Sequence, residues 1–416
     1  MIAAALTDGR TRLTGVPEGD DIRAAISAVG ALGARTNGSG DHLEVRGLPD
    51  HQGLTGTATG SGDATMVSVG ESGTLLRFLT AAAATAPGPI TITGSGRIRE
   101  RPVAGLVAAL EALGADVETS KGYAPLTVRP GRFEGGKVRV AARESSQFAS
   151  ALLLAAPRAA RGIAIELESD PVSASYLDLT VSVMARCGVA VERPGPRRFR
   201  VAAGARYRPG EHRISGDWTT ASYFFAAAAI APGRVTVDGL DPESPQGERG
   251  FSEILRRMGC EVTEEPAGDG VRVTVTGARR LRGVTVDMGS LPDAAPTLAA
   301  VAPFAEGPTR IGGIGHLRHK ESDRIAALAE GLRRLGARVA TQDDALAIEP
   351  PEGTAALVPG TMDPHGDHRI AMALALTGLR VPGVRIGNPE VVAKSFPGFW
   401  DALSQLGARV ARREDG

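Results

Sequence analysis

Charged residues gather in a few short strings where helices are expected to begin. His316-Leu317-Arg318-His319-Lys320-Glu321-Ser322-Asp323-Arg324 runs directly into IAALAEGLRRLG. Acid and base alternate there more densely than helix capping alone needs. Read as helix, Lys320 and Arg324 stand at i,i+4 and share a face, with Glu321 beside them. Arg97-Ile98-Arg99-Glu100-Arg101-Pro102 sets three arginines ahead of a helix that Pro102 can open. Val392-Ala393-Lys394-Ser395-Phe396-Pro397 puts a lysine just before the last helix. Guanidinium forks and lysine point charges suit phosphate and carboxylate. A solvated helix entry is the alternative reading of the arginine string. Four of the seven histidines form two His-x-x-His pairs, His316–His319 and His365–His368. Neither has the cysteine or His-Glu-x-x-His context of a zinc site, so no metal is expected. Cys187 and Cys260 each sit at a helix end, read as structural, and cannot make a disulfide framework.

Five polar turns open Ala- or Leu-rich helices. They are Gly70-Glu71-Ser72-Gly73-Thr74, Glu144-Ser145-Ser146-Gln147, Gly216-Asp217-Trp218-Thr219-Thr220, Leu291-Pro292-Asp293 and Gly366-Asp367-His368-Arg369. Helix starts carry unpaired N–H groups and partial positive charge, which favour anions. For any one turn, ordinary capping by Ser, Thr or Asp explains the residues. Their recurrence points to one shared anion site. None matches the nucleotide P-loop pattern.

The elements that must carry these residues repeat. Six amphipathic helical patterns end in a hydrophobic–Gly step, at Gly33, Gly114, Gly188, Gly259, Gly336 and Gly407, spaced 71 to 81 residues apart. Each reads as a helix closed by a left-handed glycine that turns into a strand. A period of about 75 residues exceeds that of most solenoid repeats. It fits six α/β units of two helices and about four strands each, three per domain. The expected domains are 1–213 and 214–416. Six complete units would need roughly 450 residues on this period, so the chain is expected to be about 30 short, at the N-terminus.

Composition narrows the class. The chain has 416 residues, 42% hydrophobic and 23% charged, with 47 basic against 47 acidic residues. Zero net charge argues against nucleic-acid binding through bulk charge. Few aromatics (4%) leave few stacking platforms for bases. The N-terminal MIAAALTDGR lacks a signal-peptide pattern, and Phe224–Ile230 is far short of a membrane span. A cytoplasmic protein without membrane partners is expected.

ESGTLLRFL, GRIRERP, ESSQFASALLLAAP, SASYLDLT, GDWTTASYFFAAAAI, PDAAPTLA, HLRHKESDRI, GDHRIAMALAL and AKSFPGFW span Glu71 to Trp400. In type and order they resemble the enolpyruvyl transferases, and among them the EPSP synthase family. The resemblance implies an inside-out α/β barrel fold: two similar domains of three α/β units, with helix N-termini aimed at a cleft. It implies transfer of the enolpyruvyl group of phosphoenolpyruvate (PEP) to the 5-hydroxyl of shikimate 3-phosphate, by a monomer needing no cofactor. Matching positions for PEP are Gly73, Arg101, Gln147, Lys320, Arg324, Arg369 and Lys394. Those for shikimate 3-phosphate are Ser145, Ser146, Gln147, Ser173, Tyr176, Asp293 and Lys320. The chemistry needs a base for the hydroxyl and an acid for C3 of PEP. Asp293 is assigned to the first role and Glu321 or Lys320 to the second. Closure of two domains at a hinge would exclude water.

The match departs from the family at the start. The family's Lys-Ser-x-x-x-Arg segment, which contacts substrates, has no counterpart ahead of Met1-Ile2-Ala3-Ala4-Ala5. A gene start placed too late, a short paralogue acting on another acceptor, and a non-catalytic anion binder stay open as explanations. A UDP-N-acetylglucosamine acceptor is disfavoured, because no cysteine lies near Arg97–Arg101. Glu71 and His316 stand where the family often has Asn. Glu71 puts negative charge near an anion site unless it pairs with a base such as Arg77 or points away.

Overall fold

Every hydrophobic–Gly step ends a helix in the same way. The computed structural model describes residues 1–49, 64–129, 131, 133–141, 145–352 and 356–412. Glu144 of the second polar turn lies outside them. The described residues form α1 (Ile2–Ala5), α2 (Asp20–Ala31), α3 (Gly73–Ala83), α4 (Ala104–Ala112), α5 (Gln147–Ala155) and α6 (Ala174–Arg186) in a first compact unit, Met1–Ile214. A second unit, Ser215–Gly416, holds α7 (Trp218–Ile230), α8 (Phe251–Arg257), α9 (Ala295–Val301), α10 (Arg324–Arg334), α11 (His368–Thr377) and α12 (Phe399–Gln405).

The even-numbered helices end two residues before Gly33, Gly114, Gly188, Gly259, Gly336 and Gly407, whose φ angles lie between 87° and 106°. The N–H after each glycine donates back over the turn: Ala34 to Val29, Ala115 to Leu110, Val189 to Met184, Cys260 to Leu255, Ala337 to Leu332 and Ala408 to Leu403, at 2.8–3.1 Å. Glycine takes this left-handed conformation without a Cβ clash, so it closes the helix cheaply.

Strands follow one plan. Thr65–Ser68 runs parallel to Ile90–Thr93 with α3 as the crossover, and the hairpin Asp116–Ser120/Tyr123–Arg129 adds antiparallel to Ile90–Thr93. Gly136–Val140, α5, Ile163–Leu167 and the hairpin Glu192–Gly195/Arg198–Val201 repeat it. So do Thr285–Asp287, α9, Thr309–Gly312 and Arg338–Gln342/Ala345–Glu349. Three copies vary. Arg10–Thr14 takes its parallel partner from Glu211–Arg213, at the far end of the first unit. Around α7 the first strand shrinks to one bridge, Gly216–Leu240, which leaves a three-stranded sheet. Around α11 only Thr361–Met362 and Arg385–Ile386 pair. The expected four strands therefore hold for four copies and not for these two. No strand follows Gly407 among the described residues.

Each unit has its own apolar core. The crossover helices form its centre: α3 packs on α5, and α7, α9 and α11 pack on one another. Every residue of α7 except Thr220 is buried, and all of α9 is. Such helices must be apolar all round, and alanine lets them approach closely. The even-numbered helices are amphipathic instead. In α10, Ile325, Leu328 and Leu332 are buried while Arg333 and Arg334 face solvent or its edge. The sheets thus lie outside and the Ala-rich helices inside. A helix start in such a core must satisfy its N–H groups locally. Ser72, Asp217 and Asp367 do so for α3, α7 and α11 by accepting from Leu75, from Thr219 and Thr220, and from Arg369. No helix among the described residues is long and apolar enough to cross a membrane.

Candidate functional site

In the first unit a buried cluster surrounds the start of α3. Gly73 is the first residue of that helix, and a Cβ there would overlap Arg101 Nη1 and stand 3.0 Å from Arg77 Nη1. Glycine is required by this close approach rather than by its backbone, whose φ is not positive. Arg77 donates to Gln147 Oε1 at 2.8 Å, to Gly73 O at 3.2 Å and to Pro102 O at 3.2 Å, with its Cζ 5.7 Å from the Phe148 ring centroid. Gln147 in turn donates to Thr74 Oγ1 at 2.9 Å, and its backbone N–H donates to Ser145 Oγ at 3.2 Å. Gly73, Arg101, Ser145 and Gln147 are thus brought together around Arg77, whose partners include Gln147 and the Gly73 and Pro102 carbonyls. Ser146 is buried at the start of α5. Ser173 precedes α6 with φ 53°, and Tyr176 lies in the first turn of α6. The Ser150–Thr180 hydrogen bond, 2.8 Å, ties α6 to α5.

Two local expectations change here. Pro102 does not open α4, which begins at Ala104 after Val103. The arginines instead occupy a 3-10 turn, Gly96–Glu100, that folds Arg101 inward. Glu71 Oε1 lies against Gly96, at the start of that turn.

The second unit holds a denser network. Arg324, 1% exposed, donates from Nη1 to Asp293 Oδ1 at 3.0 Å, from Nη2 to Glu321 Oε2 at 2.8 Å and from Nε to Asp367 Oδ2 at 2.8 Å. Arg369 Nη2 pairs with Asp293 Oδ2 at 2.9 Å, and Lys394 Nζ lies 3.5 Å from Glu321 Oε1. Ser322 Oγ donates to Asp367 at 3.1 Å. Asp293, Glu321, Arg324, Arg369 and Lys394 therefore form one connected set. Lys320 does not share a helix face with Arg324, contrary to the i,i+4 expectation. Asp323 caps α10 by accepting from Ala326 N–H, so the helix starts at Arg324 and Lys320 stays in extended backbone. Its charge nevertheless acts on Asp293 and His316.

Charge balance sets the ionisation states. Burial alone would raise the Asp293 carboxyl, but Arg369, Lys320 and Arg324 hold it well below the usual carboxylate range. Burial also opposes ionisation of Asp367, and Arg324 overcomes it. Arg324 itself is held above its ordinary value despite burial, chiefly by Asp367, Glu321 and Asp293. The histidines go the other way. Burial, with Lys320 adding to it, pushes His316 down to about 4. Burial pushes His368 down to about 3, against the nearby Asp367 carboxylate and with help from Lys394 and Arg369. Both are neutral at pH 7. Two further buried groups carry no mark in the sequence pattern. Tyr223 on α7 is buried and pushed up to about 12. Glu248, in a polar Gly- and Pro-containing stretch that reads as a loop, accepts the Asp293 N–H at 3.3 Å. Among the described residues, no group of three or more His, Cys, Asp or Glu side chains could hold a metal ion.

Two predictions follow from this network. Arg324→Met should leave three facing carboxylates short of their shared cation and cost about 3–5 kcal/mol. That is a fall in Tm on the order of 10 °C for a unit of this size, and an unchanged Tm would refute the shared-cation reading. His368 is neutral in the fold down to about pH 3, while the unfolded residue protonates near 6.5. Its contribution is complete above about pH 6.5 and is lost as pH falls, about 2 kcal/mol by about pH 5. Glu248, raised to about 7, acts in the opposite sense between its unfolded value and that pH. His368→Gln, compared with the parent at neutral and mildly acidic pH, should therefore show a smaller acid-induced fall in Tm.

Comparisons with known proteins agree with this architecture. Residues 1–403 match the family model described as EPSP synthase (3-phosphoshikimate 1-carboxyvinyltransferase). The chain is 45% identical to 3-phosphoshikimate 1-carboxyvinyltransferase of Methanoculleus marisnigri over 97% of this chain and 92% of that one. It is 42% identical to the enzyme of the same name from Methanoregula boonei, over 98% and 93%. A solved EPSP synthase from Acinetobacter baumannii superimposes with a TM-score of 0.79 at 25% identity, covering 99% of this chain and 93% of that one. The chain belongs to the EPSP synthase family.

Proposed function

We propose that this chain transfers the enolpyruvyl group of PEP to the 5-hydroxyl of shikimate 3-phosphate, in the pathway to chorismate and the aromatic amino acids. It does so as a cytoplasmic monomer without metal or organic cofactor. The acceptor oxygen attacks C2 of PEP, the hydroxyl proton leaves to a base, and C3 gains a proton. Phosphate then departs, C3 gives up a proton, and the double bond re-forms.

The observation that carries this reading is the sharing of one buried cation by two acids with different surroundings. Asp293 and Glu321 both pair with Arg324, and Arg369 and Lys394 each hold one of them. Asp293 is ionised and can accept the hydroxyl proton. Glu321 or Lys320 handles the proton at C3. Arg324, Arg369 and Lys394 are assigned to the PEP phosphate and carboxylate, and Gly73, Arg101 and Gln147 carry the same assignment from the family pattern. Ser145, Ser146, Ser173 and Tyr176 serve the shikimate phosphate side with Gln147. An anion arriving at Arg369 competes directly with Asp293 for that guanidinium. The exchange weakens the hold on the Asp293 carboxylate and makes it a better base when substrate is present.

The test is phosphate release by the 416-residue chain, which should require both PEP and shikimate 3-phosphate. No release, with PEP still raising the Tm, would replace transfer by binding alone. Asp293→Ala should keep that thermal protection and lose about 10²–10⁴ in kcat; near-parental turnover would remove it as the base. Gly73→Ala is free of backbone strain, so its effect must come through the guanidiniums it displaces, Arg101 first and Arg77 beside it. Its KM for PEP should rise about tenfold, or ~1.4 kcal/mol, with Tm little changed.

A further inference from the structure

A buried carboxyl stands directly behind the Asp293 turn. Glu248 lies in the 3-10 turn Gly247–Gly250, is 1% exposed, and accepts the backbone N–H of Asp293 at 3.3 Å. Its neighbour Gln246 donates to Asp217 Oδ1 at 2.6 Å and to Thr219 Oγ1 at 3.1 Å, and accepts from Trp218 N–H at 3.2 Å. One short segment thus grips the start of α7 and the turn that opens α9. The 3-10 turn packs against α7, α8 and residues 292–294. The charges acting on Glu248 include Asp293 on that last turn, Arg369 on α11, and Asp217 at the start of α7. From α8, Glu253 and Arg256 pair with each other at the surface, and Arg257 donates to Thr285 O. Arg249, within the turn, reaches Glu264 at 3.7 Å.

We propose that Glu248 is a positioning residue for the transfer reaction, whose carboxyl fixes the Asp293 turn and whose ionisation tunes the charge around Asp293 and Arg369. This rests on Asp293 being the base. The two carboxyls are driven apart by their surroundings. Asp293 faces three cations and is held low. Glu248 is buried beside Asp293 and is pushed up to about 7. Such a separation lets neighbouring carboxyls take different roles. When Glu248 ionises, its negative charge favours the protonated form of Asp293 and draws on Arg369. Asp293 becomes more basic, so kcat rises as pH increases through about 7. Glu248→Gln keeps the shape and an oxygen that can accept the Asp293 N–H, and removes the charge.

The experiment measures kcat at saturating substrates from about pH 6 to 8.5 for the parent, Glu248→Gln and Glu248→Asp. Glu248→Gln should match the parent within about twofold at the acid end, fall about three- to tenfold behind at the alkaline end, and lack the rise. Glu248→Asp should keep the rise. A Glu248→Gln profile parallel to the parent's, whether equal or uniformly lowered, overturns the proposal and leaves Glu248 a structural residue. An inactive parent would instead defeat the transfer reading. An active Asp293→Ala would defeat the base assignment. Should Glu248→Gln fail to fold, carbon-13 NMR of glutamate carboxyls in the parent decides. A carboxyl titrating near pH 7 is expected, and none titrating above about pH 6 overturns the proposal.

Discussion

Arg324 carries a full positive charge at a point with 1% exposure, and three carboxylates from three different turns converge on it. A buried guanidinium without partners would cost several kcal/mol, so the turns bearing Asp293, Glu321 and Asp367 are held in register by the need to satisfy it. Each of those turns lies at or just before a helix start. The ion network therefore also ties the entrances of α9, α10 and α11 to one another, beside the packing of those helices. On the proposed assignment, stability and chemistry draw on the same residues. Asp293 cannot be changed for catalytic reasons without disturbing Arg324, and Arg324 cannot be exchanged for an apolar residue without stranding Asp293.

This concentration of charge at helix starts follows from the repeated plan. Each crossover helix leaves a parallel strand and runs into the core, so its first turn carries orphan N–H groups in a poorly hydrated place. Side-chain oxygens satisfy some of them: Ser72, Asp217 and Asp367 cap three of these helices. The readings of the polar turns as caps and as an anion site are not rivals. Asp367 caps α11 through the Arg369 N–H at 2.9 Å and holds Arg324 with the same carboxyl.

The repeat was legible because a left-handed glycine after an amphipathic helix leaves a periodic mark, and all six marked glycines adopt that conformation. What the period could not reveal was how much of each copy survives. The copy around α7 keeps one bridge of its first strand, and the copy around α11 keeps only a two-residue parallel pair. Strands this short leave no alternation to read. The Lys320–Arg324 spacing misled for a local reason. Asp323 prefers to cap, and a cap ends the backward extension of a helix whatever the charges before it suggest. Arg77 and Glu248 were hard to see because their significance is tertiary. Arg77 sits inside an apolar helix pattern, and Glu248 in a polar stretch, and neither position signals that its charge is buried.

Local neutrality explains how a chain with no net charge can concentrate cations for anionic ligands. Arg324, Arg369 and Lys394 are already balanced by Asp293, Glu321 and Asp367, so the network is stable before any anion arrives. Binding to it is then an exchange of partners more than a neutralisation of bare charge. That exchange weakens the attraction for a ligand, because each guanidinium must give up a carboxylate as it gains a phosphate or carboxyl group. On the proposed assignment of Asp293 as base, it also couples recognition to reactivity, because the carboxylate released is the one that takes the hydroxyl proton. A site built from unpaired cations would bind anions more tightly, and its base would feel the anion's charge without also losing an ion-pair partner. On the proposed assignment, the buried carboxylates around Arg324 trade some of that affinity for a base that is held in check until the anion is in place.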